Sequence, residues 1–198
     1  MTFGVSYEIW AALAVILRLA VYVPYIYETF KGRCNPHAFS WFIWFLIDFI
    51  AFLVLLYGGA GAGAYATLLS GTISLAIAGS AWFIGNRDVT RADYISLVVA
   101  LSVLPLWYFA HSPLAVLLVI ISVEFVGNFP TWRKATYKPY EERAYVFFFV
   151  GVASMFTIFA IENITLENLL YPIYLTIVCM GTAVYVTWRG FVLRASSS

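Results

Sequence analysis

Residues 38–57 read AFSWFIWFLIDFIAFLVLLY, twenty residues in a row with one charged side chain, Asp48. A helix of about 20 apolar residues crosses a bilayer core of roughly 30 Å, so this stretch reads as a membrane span. Similar runs fill the chain on both sides of it. They predict seven spans, at about residues 8–30, 38–57, 63–85, 94–110, 114–136, 143–161 and 168–191. The composition agrees. Of 198 residues 63% are apolar and 11% charged, against roughly 45–50% and about 25% in soluble domains. That excludes an ordinary soluble enzyme. With 19% aromatic residues the chain is expected to be ordered. A formal charge of +1 with no long basic run gives a nucleic-acid partner no footing. No cleavable signal peptide is apparent, so the first helix is expected to stay in the membrane.

The breaks between spans have local causes. Gly32–Pro36 (GRCNP) and His111-Ser112-Pro113 are turns, and Gly58–Gly63 (GGAGAG) is a glycine loop. Asn86–Asp93, Lys138–Arg143 and Glu162–Asn168 are polar. Irregular backbone facing lipid is costly, so these breaks belong at the two interfaces. Ten of the 11 Lys and Arg residues then fall at the ends of spans one, three, five and seven, while the opposite side carries Glu8, Glu162 and Glu167. The positive-inside rule places the N-terminus outside and the C-terminus in the cytoplasm. A bacterial inner membrane is the expected location.

The chain also carries the outline of a duplication. Pro24 late in span one and Pro130 late in span five are 106 residues apart. The same shift sets Arg18 against Glu124, Tyr22 against Asn128, Tyr65 against Tyr171 and Trp82 against Trp188, and overlays spans one to three on five to seven without a gap. Identity at this register is near chance, so the argument is one of span lengths, loop lengths and charge sides. Two triplets of equal direction need a linking helix between them. The expected fold is therefore all-α: a first three-helix repeat over residues 1–92, a linker helix over 93–113 and a second repeat over 114–198, forming two parallel bundles.

Val23-Pro24-Tyr25-Ile26-Tyr27-Glu28-Thr29-Phe30, followed by Asn35-Pro36-His37-Ala38-Phe39-Ser40-Trp41, is similar to a PQ-loop. Phe129-Pro130-Thr131-Trp132-Arg133-Lys134, followed by Tyr137–Glu142, resembles the same element in the second repeat. With the 3+1+3 plan, the chain resembles the PQ-loop and SWEET transporter superfamily. The family's glutamine is Tyr25 in one repeat and Thr131 in the other. The resemblance implies transport of a small solute through a cavity between two rocking bundles, with Pro24 and Pro130 as hinges. On the residues alone, static kinks explain the two prolines equally well.

Three ionisable side chains, Arg18, Asp48 and Glu124, lie about ten residues inside their spans, roughly 15 Å deep. An unpaired charge there costs about 2.5–3.5 kcal/mol on insertion scales, so all three are expected to face the interior and pair. One arginine and two acids leave one acid over. If Arg18 pairs with Glu124, Asp48 is free to carry a coupling proton or to bind a polar or cationic solute. Alternatively the three form a neutral triad that pins the bundles, or Arg18 holds an anionic solute. Trp41 and Trp44 share a helical face with Asp48. Trp44 suits solute contact through its ring or the interfacial belt equally well, whereas Trp41, Trp82, Trp132 and Trp188 suit the belt. Tyr22 and Asn128, beside the two prolines, either line a cavity or bond opened backbone. Small residues at Ala66, Ser70, Ser74 and Ala78 mark a close helix contact.

There is no nucleophile elbow, phosphate loop, zinc-helix motif or Cys/His cluster. Cys34 and Cys179 suggest no disulfide framework, and His37 and His111 are too isolated for a metal. No enzyme activity, metal or cofactor is expected. The expected function is transport of a small polar solute, proton-coupled through the leftover acid. The expected partners are that solute, protons, the bilayer and a second copy of the chain. The rival class is a membrane receptor on the same helix plan, which would bind without flux.

Overall fold

The structure, a computed structural model, describes residues 6–31, 38–84, 91–110, 112–137, 139–141 and 143–195. Among the described residues the chain forms seven α-helices and no strand. They are α1 (Tyr7–Phe30), α2 (Ala38–Tyr57), α3 (Ala62–Ile84), α4 (Arg91–Ala110), α5 (Pro113–Tyr137), α6 (Ala144–Phe159) and α7 (Leu166–Ala195), with one 3-10 turn at Pro139–Glu141. Four of them, α1, α2, α3 and α7, are long and apolar enough to cross a membrane. The protein is thus all-helical, with the apolar helices of a membrane-embedded chain. At 16 residues α6 is shorter than its expected span. The chain leaves the helix at Ala160, before the polar Glu162-Asn163 pair, and turns back toward α7.

The helix ends follow local chemistry. Gly59 takes a left-handed conformation, φ +71°, after α2. Its N–H bonds the Leu56 carbonyl, and the Ala60 N–H reaches back to Leu55. Paired bonds of this kind close a helix on a glycine. Ser112 caps α5, its Oγ accepting from Ala115 N–H at 3.3 Å, with Pro113 in the first helical position. Thr165 caps α7 in the same way through Asn168 N–H.

Under the 106-residue shift the helices fall into α1–α3 and α5–α7, and the packing pattern repeats within and between these two groups. α3 packs against both α1 and α2, while among the described residues the α1 and α2 backbones stay apart and meet only through side chains such as Tyr22, Tyr25 and Trp41. α7 packs in the same way against α5 and α6. The small side chains Ala66, Ser70, Ser74 and Ala78 are all buried, which is what close approach of α3 to its two neighbours requires. The groups meet along α1–α6 and along α2–α5, with α3–α6 and α2–α7 contacts beside them. Exchanging α1, α2, α3 for α5, α6, α7 turns every packed helix pair that leaves out α4 into another packed pair.

Candidate functional site at half-depth

Arg18, Asp48 and Glu124 sit ten or eleven residues into α1, α2 and α5, about 15 Å along each helix. None of the three faces outward. Arg18 is 2% exposed and Asp48 7%, and Glu124 Oε2 is buried without a hydrogen-bond partner.

The partners differ from the pairing expected from the charges. Arg18 reaches α6, where its guanidinium donates to Thr157 Oγ1 at 3.2 Å and Ser154 Oγ at 3.4 Å. Among the described residues it forms no ion pair. The cause is the packing: α1 lies along α6 and, among the described residues, its backbone does not approach α5, so Arg18 points to α6 rather than to Glu124. The 106-residue shift makes Ser154 the counterpart of Asp48. On the α1–α6 side an arginine therefore meets a serine, and on the α5–α2 side a glutamate approaches an aspartate. Both Arg18 hydroxyl partners are held in place by their own helix. Ser154 Oγ donates to Val150 O at 2.9 Å and Thr157 Oγ1 to Ala153 O at 3.1 Å. Arg18 Nε is left buried and unpartnered.

Asp48 is held from two sides. The Tyr171 hydroxyl of α7 donates to Asp48 Oδ1 at 2.9 Å, and the Ser70 hydroxyl of α3 faces the same carboxyl. Gly71 makes room for it, since a Cβ there would lie 3.1 Å from Asp48 Cβ. The Glu124 carboxyl lies against the Tyr171 hydroxyl as well. Tyr171 is 1% exposed and sits in the apolar cluster where α2, α5 and α7 meet, with Ile47, Ile50, Leu117 and Ile120. Tyr22 and Cys179 lie within electrostatic reach of Arg18, Asp48 and Glu124.

The aromatic side chains pack one turn away. Trp41 is 9% exposed, its ring 4.9 Å from Trp44, 5.4 Å from Tyr25 and edge-on to Tyr22 at 6.0 Å. The interfacial belt expected for Trp41 is therefore corrected: it is interior, because α1 covers that face of α2. Trp44 touches both this aromatic group and the cluster around Tyr171. Trp82 and Trp188 are exposed, as a belt requires. Trp132 instead donates to Thr182 Oγ1 at 2.8 Å. Asn128 bonds its own helix, Nδ2 to Glu124 O at 2.8 Å, which is not the carbonyl that Pro130 leaves free four residues before it. Pro24 lies inside a continuous, outward-facing stretch of α1, and α5 runs unbroken through Pro130, whose side chain is outside the described residues. Pro105 in α4 and Pro172 in α7 are further helix prolines. Cys34, His37 and His111 also lie outside the described residues.

At one end the two groups are tied through their equivalent loops, α2–α3 and α6–α7. Gly63 N–H donates to Ala160 O at 3.1 Å and Glu162 N–H to Ala60 O at 3.3 Å. Glu162 Oε1 accepts from Ala62 N–H at 3.0 Å. Asn163 and Asn168 both donate to Gly58 O, at 2.9 and 2.8 Å, and Asn168 also bonds Asn163 O. Asn168 is fully buried. Gly58 is required here, since a Cβ would collide with Asn168 Oδ1. Gly61, at φ +60°, turns the Ala62 N–H toward Glu162. An open, apolar groove of about 810 Å³ lies elsewhere, between α5 and α7, lined by residues such as Phe125, Trp132 and Ile177.

The sequence readings missed Tyr171, Ser154, Thr157 and Asn168. Ser154 could have been found by moving Asp48 through the 106-residue shift. Comparison of the chain with protein families, with curated proteins and with solved structures finds no match.

Proposed function

We propose that the chain is an integral membrane transporter of a small polar solute, with two three-helix groups exposing a half-depth site to each side of the membrane in turn. On this reading all seven helices cross the bilayer, α4 links two parallel repeats, and the latched loops lie on the outer side with the N-terminus. The observation that carries it is the exchange symmetry of the helix contacts. Two like-built halves that meet along equivalent faces can rock about their shared axis and keep the same kinds of contact. Buried ionisable groups at that interface support the same reading. Arg18, Asp48 and Glu124 come from both halves, and Arg18 Nε and Glu124 Oε2 lack partners. Ionisable side chains buried within membrane spans mark solute or ion paths. An orphan donor and an orphan acceptor at one depth suit a polar solute that offers both an acceptor and a donor.

The test is a two-stage screen. The purified protein in lipid nanodiscs is mixed with a metabolite panel, and compounds that raise its Tm are collected, since a ligand selective for the folded state stabilises it. Each is then offered, radiolabelled, to proteoliposomes. Saturable uptake above protein-free liposomes supports the reading. Binding without flux would make the protein a receptor instead.

A further inference from the structure

Two buried carboxyl groups approach one hydroxyl where α2, α5 and α7 meet, Asp48 in a hydrogen bond with it and Glu124 within interaction range. Tyr171 Oη donates its only proton to Asp48 Oδ1 at 2.9 Å. A tyrosine hydroxyl has one proton to give and lone pairs with which to accept. The Glu124 carboxyl, lying against the same oxygen, therefore has no tyrosine proton left to receive. Two oxygen acceptors facing each other in a dry interior repel. With Tyr171 donating to Asp48, the contact is favourable when Glu124 carries a proton and donates it to Tyr171 Oη while Asp48 is ionised; the mirror arrangement, with the proton on Asp48, is the other favourable state. Charge balance favours the first of the two. Arg18 is engaged by Ser154 and Thr157 rather than by either acid. It still lies within electrostatic reach of Asp48, so one positive and one negative charge remain when Glu124 is neutral.

We propose that Glu124, Tyr171 and Asp48 form a proton relay across the interface between the two halves, with Tyr171 as the positioning residue that joins its ends. This rests on the transporter reading and names its coupling ion. The step balances. The Glu124 O–H bond breaks as its proton passes to Tyr171 Oη, and the former Tyr171 proton passes to Asp48 Oδ1. Glu124 becomes the carboxylate, Asp48 the acid, and Tyr171 is unchanged. Asp48 belongs to the first half, Glu124 and Tyr171 to the second. Separation of the halves would therefore interrupt the relay and leave the proton on one side. The other titratable or charged groups facing the relay are Arg18 and Tyr22 from α1, and Tyr174 and Cys179 from α7. Ser70 from α3 adds a hydroxyl.

The probe is the proton itself, read by infrared spectroscopy of the full chain in lipid at neutral pH. Protonated carboxyl groups have a carbonyl stretch separate from that of carboxylates. The expected spectrum has a buried, hydrogen-bonded acid band that Glu124→Gln removes. Asp48→Asn should leave its amplitude intact. Tyr171→Phe, which deletes one oxygen and keeps the ring, should retain the band and shift it to the higher frequency of an acid that has lost its acceptor. A fold defect alone would not move that frequency selectively. The proposal is overturned if no such band exists in the unsubstituted protein. It is also overturned if the band disappears with Asp48→Asn but not with Glu124→Gln, or if Tyr171→Phe leaves its frequency in place. These readings need no solute. An absence of flux for every compound tried would sink the transporter and leave the relay standing.

Discussion

Replacing Asn168 with alanine should open the latched end. The side chain is fully buried and makes two hydrogen bonds of 2.8 Å, to Gly58 O and Asn163 O. Each is worth about 1 kcal/mol net. Gly58 O keeps its bond from Asn163, and the exposed Asn163 regains water, so no large desolvation penalty is added. Only the bond to Gly58 O crosses between the two loops, since Asn163 lies on the same side as Asn168, so the loss on the latch is about 1 kcal/mol, roughly fivefold in an equilibrium constant. If that bond acts on closure, a closed-to-open ratio of about 20:1 would fall to about 4:1. The assay is electron–electron double resonance in nanodiscs. Spin labels go on cysteines at Tyr57 and Ile164, which are 80% and 66% exposed on the two sides of the latch. Cys34 and Cys179 are first replaced by alanine. The unsubstituted latch should be dominated by one narrow distance, and Asn168→Ala should add a second, longer component of about a fifth of the signal. A lowered Tm with an unchanged distance distribution would refute the reasoning, because the bonds would then be local to the loops.

Arg18→Met should lower Tm, since it leaves the buried, ionised Asp48 without the positive charge that balances it. Solute-induced stabilisation should be lost, and its survival in the thermal-shift assay would remove Arg18 from the site. Gly71→Leu should lower Tm, because even a Cβ sits 3.1 Å from Asp48 Cβ and 3.5 Å from Phe45 O, and overpacking costs about 1–3 kcal/mol. Gly79→Leu is the control, with nothing within 4 Å of its Cβ, and should leave Tm near that of the parent. Gly61→Ala places a Cβ at φ +60° into the Glu162 side chain. It should cost about 1–2 kcal/mol from backbone strain alone and broaden the latch distance as Asn168→Ala does; a narrow distance would show that the Glu162 contact does not hold the loops.

The sequence carries the helix pattern in its breaks. α2 ends at Tyr57, before Gly58-Gly59, because only glycine takes the left-handed turn there without strain. The end of α6 is less visible, since Ala160 and Ile161 are as apolar as the helix they leave. The high cost of a charge in lipid explains why Arg18 and Asp48 are interior before any packing is known. Their partners are another matter. A repeat shift identifies equivalent positions, and equivalent positions touch only on the symmetry axis. Arg18 and Glu124 are equivalent, yet each packs against the other half's second helix, so Arg18 meets Ser154 and Glu124 approaches Asp48. Tyr171 gives no local signal, because one tyrosine in an apolar helix looks like any other. Trp41 looks like a belt residue from its place near a helix end, and only the cover of α1 makes it interior.

The most direct test of two halves rocking about a half-depth site is its accessibility to water from each side. A cysteine at Ser154, which is fully buried beside Arg18, can be exposed in a background without Cys34 and Cys179. A membrane-impermeant thiol reagent is then applied to oriented vesicles from one face or the other. The account predicts slow modification from both faces, and loss of modification from the latched face alone when cysteines at Gly59 and Asn163 are cross-linked. Modification from neither face, or only by a lipid-soluble reagent, would contradict it.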